Sequence, residues 1–84
     1  MKPVHFSEHA IRQMQERGAS REEVLRAIAE GRGEPGKKGR VLYRLNLGYN
    51  ASWAGKHYAV KQVVPVVAVE EDRMVVVTVY TFYF

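Results

Sequence analysis

An imidazole and two guanidinium groups recur at helical spacing near the start of the chain. His9, Arg12 and Arg17, with Gln13 and Glu16, fall within one arc of a helix, and Ala10, Ile11 and Met14 occupy the other. Such a face suits phosphodiester chemistry, because an imidazole moves a proton near neutral pH and guanidinium groups steady phosphate charge. The same spacing also describes an ordinary amphipathic helix with a histidine on its solvent face, and taken alone that is the better account. Near the other end, Thr78 and Tyr80 stand two apart in a β-rich run. Strand alternation puts them on one face with Met74, Val76 and Phe82, where they either satisfy each other or line a site.

Positive charge is concentrated in the middle of the chain. Between Gly31 and Lys61 lie seven basic residues (Arg32, Lys37, Lys38, Arg40, Arg44, Lys56 and Lys61) and one acid, Glu34, a net of +6. The other residues carry six basic groups and eight acids, a net of −2. That asymmetry offers a candidate surface for the phosphates of nucleic acid, with solubilisation of a loop and a sheet edge as the plainer alternative. Tyr43, Tyr49, Trp53 and Tyr58 interleave with these basic residues as base-stacking platforms do, although strand aromatics are more often core. The segment Gly31-Arg-Gly-Glu-Pro-Gly-Lys-Lys-Gly39 has neither the spacing of a phosphate loop nor a helix after it, and reads as a basic loop.

His5 and His9 are four apart, but Ser7 between them is the expected helix cap, so they do not share a helical face. With no cysteine and no carboxylate at ligand spacing, no metal and no cofactor is expected. Nothing in the sequence reads as a secretory signal or a bilayer span, because Glu70, Glu71, Asp72 and Arg73 interrupt the valine-rich stretches. A cytoplasmic protein with no membrane partner is the expectation. At 84 residues the chain is read as a single domain, residues 1–84.

The elements that must position these groups follow from their punctuation. Ser7 and Gly18 bracket a helix over 8–17, and the capping box Ser20–Glu23 opens a second that ends near Gly31. Val24, Leu25 and Ile28 form the apolar stripe of the second helix. Residues 31–39 are expected to be irregular. Alternation then predicts a strand over 41–47, a connection from Gly48 to Gly55, and a strand from Tyr58 to Val69 with Pro65 at a bulge or an edge. Glu70 to Arg73 is the turn of a long hairpin whose second strand runs from Met74 to Tyr83. The expected fold is α+β, ordered α-α-β-β-β, with two N-terminal helices on one face of a three- to four-stranded antiparallel sheet. A further short strand would lie near Val4. The apolar ending Tyr80-Thr-Phe-Tyr-Phe84 points to a homodimer or a partner-bound surface.

Phe6-Ser-Glu-His9-Ala10, Met14, Arg17-Gly18, Ser20 and Val24, with the ending Val77-Thr78-Val79-Tyr80, resemble the domain-of-unknown-function family 4258. The resemblance covers both ends of the chain and leaves the middle variable. It implies a small bacterial protein of the group likened to RelE-like and barnase-like toxin ribonucleases, with helices on one face of an antiparallel sheet. It also implies an RNA substrate and an antitoxin-like protein partner. The positions it carries over are His9, Arg17, Thr78 and Tyr80, with Gly18 as a turn. On that basis His9 would be the general acid or base, Arg17 with Arg12 the phosphate clamp, and Tyr80 an orienting or proton-sharing hydroxyl. One position departs: the family commonly has arginine directly before the helix-one methionine, and here it is Gln13. Arg12 is adjacent but points about 100° away around the helix.

Overall fold

The caps named above set both helices. The computed structural model describes residues 2–84, with β1 (Val4–Phe6), α1 (Glu8–Arg17) and α2 (Arg21–Glu30) leading the chain. Ser7 accepts the Ala10 amide at 3.0 Å, and Gly18 ends α1 in left-handed backbone, φ 76°. Ser20 and Glu23 exchange side-chain-to-amide hydrogen bonds of 3.1 and 2.9 Å, and only Gly18, Ala19 and Ser20 lie between the helices. Neither helix is long enough to be stable alone. Each buries its apolar stripe instead: Ala10 and Met14 from α1, and Val24, Ala27 and Ile28 from α2, pack on Val63, Val67, Val76 and Val79. No helix among the described residues is long and apolar enough to cross a membrane.

Five strands form one mixed sheet. After α2 come β2 (Arg32–Pro35), a 3-10 turn at Lys37–Gly39, β3 (Val41–Trp53), β4 (Lys56–Val69) and β5 (Met74–Tyr83). The spatial order is β1-β5-β4-β3-β2, antiparallel throughout except that β1 runs parallel to β5. The expected three to four antiparallel strands are thus corrected to five with one parallel pair. Val4–Phe6 docks beside Met74–Val76 before the chain turns at Ser7 into α1. The segment over 31–39 is not irregular throughout, because β2 is an edge strand on which Gly33 and Pro35 need no outer partner.

Gly48 does not end β3 either. Gly48 faces Val60 while Ala51 faces Tyr58, so a bulge at Tyr49 and Asn50 absorbs the irregularity and the strand continues to Trp53. Ala54 and Gly55, at φ 53° and 83°, then make a two-residue turn of the hand that suits a twisted hairpin. Pro65 lies in the central strand rather than at an edge. There the pairing with β3 lapses between Leu42/Val66 and Leu45/Val63, where proline has no amide hydrogen to give.

A second bulge decides where Thr78 and Tyr80 point. Val66 pairs with Thr78 but Val67 pairs with Val76, so Val77 is an extra residue in β5. Ser7 Oγ donates to the Val77 carbonyl at 3.3 Å, and the Ser7 amide to Val76 at 3.0 Å, so the irregular backbone is satisfied. Alternation restarts one residue late. Met74 and Val76 face the helices, then Val79 does, and Thr78, Tyr80 and Phe82 lie on the opposite face. The expectation that all five residues share a face is corrected by this single insertion.

The bulge predicts an ordering of core truncations. Val79→Ala, at a fully buried position, should cost about 2 kcal/mol, and Thr78→Ala well under about 1 kcal/mol. Urea unfolding that ranks the two the other way would mean that β5 alternates straight through Val77.

Candidate functional site

The sheet has two unlike faces. On the helix side, the C-terminus of α1 is held by side chains rather than water. Lys61, 5 % exposed, gives its ammonium to the Gly18 carbonyl and to Glu23 Oε1, the latter at 2.8 Å. The Arg17 carbonyl accepts from Thr81 Oγ1 at 2.9 Å and from the Tyr83 hydroxyl at 2.8 Å. Trp53 stacks on Tyr83 with centroids 5.0 Å apart and planes 13° from parallel, and Tyr49 and Tyr58 close around the same ring. Gly18 is required beneath them: a Cβ there would meet the Trp53 ring at 2.6 Å.

Burial raises the Glu23 carboxyl, but the hydrogen bonds from Lys61 and Ser20 outweigh it and hold Glu23 below the ordinary glutamate value. Burial pushes the Tyr83 phenol up, which keeps it a neutral donor. Lys61 is therefore withdrawn from the basic surface expected of it. Tyr49, Trp53 and Tyr58 are likewise committed to this cluster rather than laid out as a stacking platform.

The other face carries no helix. Register lines up three rows of side chains across it: Thr78, Val66, Leu42 and Glu34; then Tyr80 beside Val64, with Arg44 and Arg32; then Phe82, Gln62 and Asn46. The 3-10 turn after β2 folds over the first row. Lys38 and Gly39 adopt left-handed backbone, φ 59° and 72°, and the Gly36 amide donates to the Arg40 carbonyl at 2.7 Å. Between that turn and β5 opens a cavity of about 400 Å³ lined by Lys37, Arg40, Thr78 and Tyr80 over Leu42 and Val66, with Pro35 and Gly36 at its side.

Arg17 reaches this face around the free edge of β5. Its Nη1 donates to the Val79 carbonyl at 2.7 Å, and its guanidinium lies 5.0 Å from the centre of the Tyr80 ring. Beyond the cavity, Arg44 links Glu34 at 2.9 Å to Gln62 at 3.2 Å, and Gln62 in turn donates to Asn46 at 2.8 Å.

The residues singled out from the sequence therefore divide. Arg17, Thr78, Tyr80, Lys37 and Arg40 come together at the open face, and Arg32 and Arg44 continue from them. His9 and Arg12 stand exposed on α1, and neither lines the cavity. His9 is eight residues before Arg17, about 12 Å along the helix axis. Lys38 is exposed on the turn, whereas Lys56 flanks the far end of the 13-residue β3, about 40 Å from Arg40. Gln13, where the resemblance has arginine, buries its Oε1 with no hydrogen-bond partner. Sequence reasoning missed the amide chain Gln62–Asn46 and the apolar floor Leu42–Val66. The alternation of β3 had already set Leu42, Arg44 and Asn46 apart, but nothing local said that their face stays uncovered.

The depressed Glu23 carboxyl has a consequence for stability. The unfolded chain takes up its proton at a higher pH than the folded one, so the stabilisation is complete above the ordinary glutamate range and is lost as pH falls through the folded value. In urea unfolding followed from neutrality to pH 3, wild type should lose more stability than Glu23→Gln does. Parallel curves for the two proteins would remove the Lys61–Glu23 contact from the account.

Comparison with known proteins bears on this framework as a whole. The family model described as Domain of unknown function (DUF4258) matches residues 6–81, from the end of β1 into the last strand. No curated protein matches the chain, and no solved structure does. With both helices and most of the sheet inside the matched span, the chain belongs to the DUF4258 family.

Proposed function

We propose that this domain is RNA-directed and binds RNA on the open face of its sheet, with the cavity between the Lys37–Arg40 turn and Tyr80 as the centre of the contact. The observation that carries the reading is convergence. Two cationic residues from the turn and two hydroxyl-bearing residues from β5, one of them aromatic, line one cavity, and Arg17 backs the ring from a third segment. Cations meet phosphate oxygens, a ring gives a base its stacking partner, and an apolar floor excludes water beneath both. The charge of the chain favours the same partner, with the net +6 segment supplying the turn and β3.

The resemblance to toxin-type ribonucleases adds cleavage to this reading, and in it the residues that line the cavity would perform the reaction. Tyr80, Thr78 and Lys37 line the cavity, and His9 does not. In a metal-independent reaction, Tyr80 would take the proton-transfer role first assigned to His9. Lys37, Arg40 and Arg17 would stabilise the charge on the phosphate. An antitoxin-like partner would then have to cover this face.

Two substitutions test the placement. Lys37→Ala with Arg40→Ala should weaken RNA binding and flatten its salt dependence, since each lost phosphate contact releases fewer counterions. His9→Ala should leave affinity and any cleavage unchanged. Fluorescence anisotropy against salt in which the turn variant matches wild type would exclude the cavity, and loss of activity in His9→Ala would return the site to α1.

A further inference from the structure

Phe82 is an exposed aromatic that neither the cavity nor the helices use, and it shares its face with Tyr80, which lines the cavity. They lie two apart on β5, are 47 % and 42 % exposed, and point from the same face beyond the Val77 bulge. Two strand residues span about 7 Å, which separates the rings enough for each to receive its own base. One side of the Tyr80 ring is already occupied by Arg17. Directly across from Phe82 stands Gln62, and across from Gln62 stands Asn46.

The hydrogen bonds in that row have one consistent direction. Arg44 can only donate, so the oxygen of Gln62 faces it, the Gln62 amide nitrogen faces the oxygen of Asn46, and the Asn46 amide nitrogen is left pointing outward. Glu34 fixes Arg44 from the other side at 2.9 Å. The open face therefore sets a line of rings beside a line of oriented amides, with the cations of the turn at one end.

We infer that the open face binds single-stranded RNA with two adjacent bases stacked on Tyr80 and Phe82, and that Asn46 offers its amide donor to the edge of the base on Phe82. The inference rests on the RNA-directed reading and narrows it. A duplex keeps its bases stacked on one another and leaves these rings without partners, whereas a single strand frees each base for a side chain. An amide donor is met by a lone pair on the base edge, a carbonyl oxygen of uracil or a ring nitrogen of adenine, so either base can accept it. The charge of the chain argues for this occupant over a second copy, because stacking the face on itself would bring Lys37, Arg40 and Arg32 toward their own images.

Anisotropy titrations with a fluorescent oligo(U), an oligo(A) and an RNA duplex test this. Oligo(U) and oligo(A) should both bind more tightly than the duplex, and Phe82→Ala should lower affinity for either single strand by about 5- to 150-fold. Asn46→Ala should weaken binding of both single strands by the loss of one hydrogen bond. Ile11→Ala, which removes an exposed apolar side chain from α1, should change nothing. Equal binding of duplex and single strand, with Phe82→Ala unaffected, would overturn the inference and leave RNA binding standing. Absence of binding to all three RNAs would remove the reading beneath it as well. Sedimentation showing a wild-type dimer that Phe82→Ala dissociates, with RNA affinity unchanged, would assign the rings to a second copy and overturn it too.

Discussion

The ammonium of Lys61 is the constraint on which the rest of this small domain depends. It comes from the central strand, is almost wholly buried, and reaches both the carbonyl that ends α1 and the carboxylate that caps α2. A buried charge is costly unless all its partners are present. Here they exist only when both helices sit on the sheet in this one register. Thr81, Tyr83 and Trp53 complete the same joint from β5 and β3. The helix junction thus specifies the packing as well as stabilising it.

Committing one face in this way leaves the other without an α-helix among the described residues. Both α-helices and most of the aromatic residues are used on the Lys61 side, and the opposite face sets exposed rings, amides and cations around buried Val64 and Val66. The Val77 bulge is what assigns Thr78, Tyr80 and Phe82 to that open face. Without it, strict alternation would keep them on the side of Met74 and Val76. One inserted residue therefore converts a strand that begins as core into one that ends as a presenting edge. The carbonyl groups the insertion exposes are met by Ser7, the same residue that starts α1.

Much of this was legible in the residues. Ser7, Gly18 and the Ser20–Glu23 box fix the helices because their chemistry is local, and the acidic turn after Val69 fixes the last hairpin for the same reason. What was not legible depended on contacts distant in sequence. The parallel docking of Val4–Phe6 needs the end of β5, and glycine and proline in β2 are tolerated only because that strand lies at an edge. Lys61 reads as one more surface cation until Gly18 and Glu23 are brought to it. For the candidate site, Arg17, Thr78 and Tyr80 could be named, but a helical arc cannot say that His9 and Arg17 serve different surroundings. Nor does alternation foresee a bulge whose residue, Val77, is chemically identical to the valines around it.

The open face as the RNA-binding surface is tested most directly by mapping amide chemical shifts while a single-stranded RNA is added to the isotopically labelled protein. The account predicts that perturbations gather on Leu42, Arg44, Gln62, Val66, Thr78, Tyr80 and Phe82 and on the turn from Gly36 to Arg40, with His9 and Arg12 unaffected. Perturbations gathered on the exposed side of α1 around His9, with the open face silent, would contradict it.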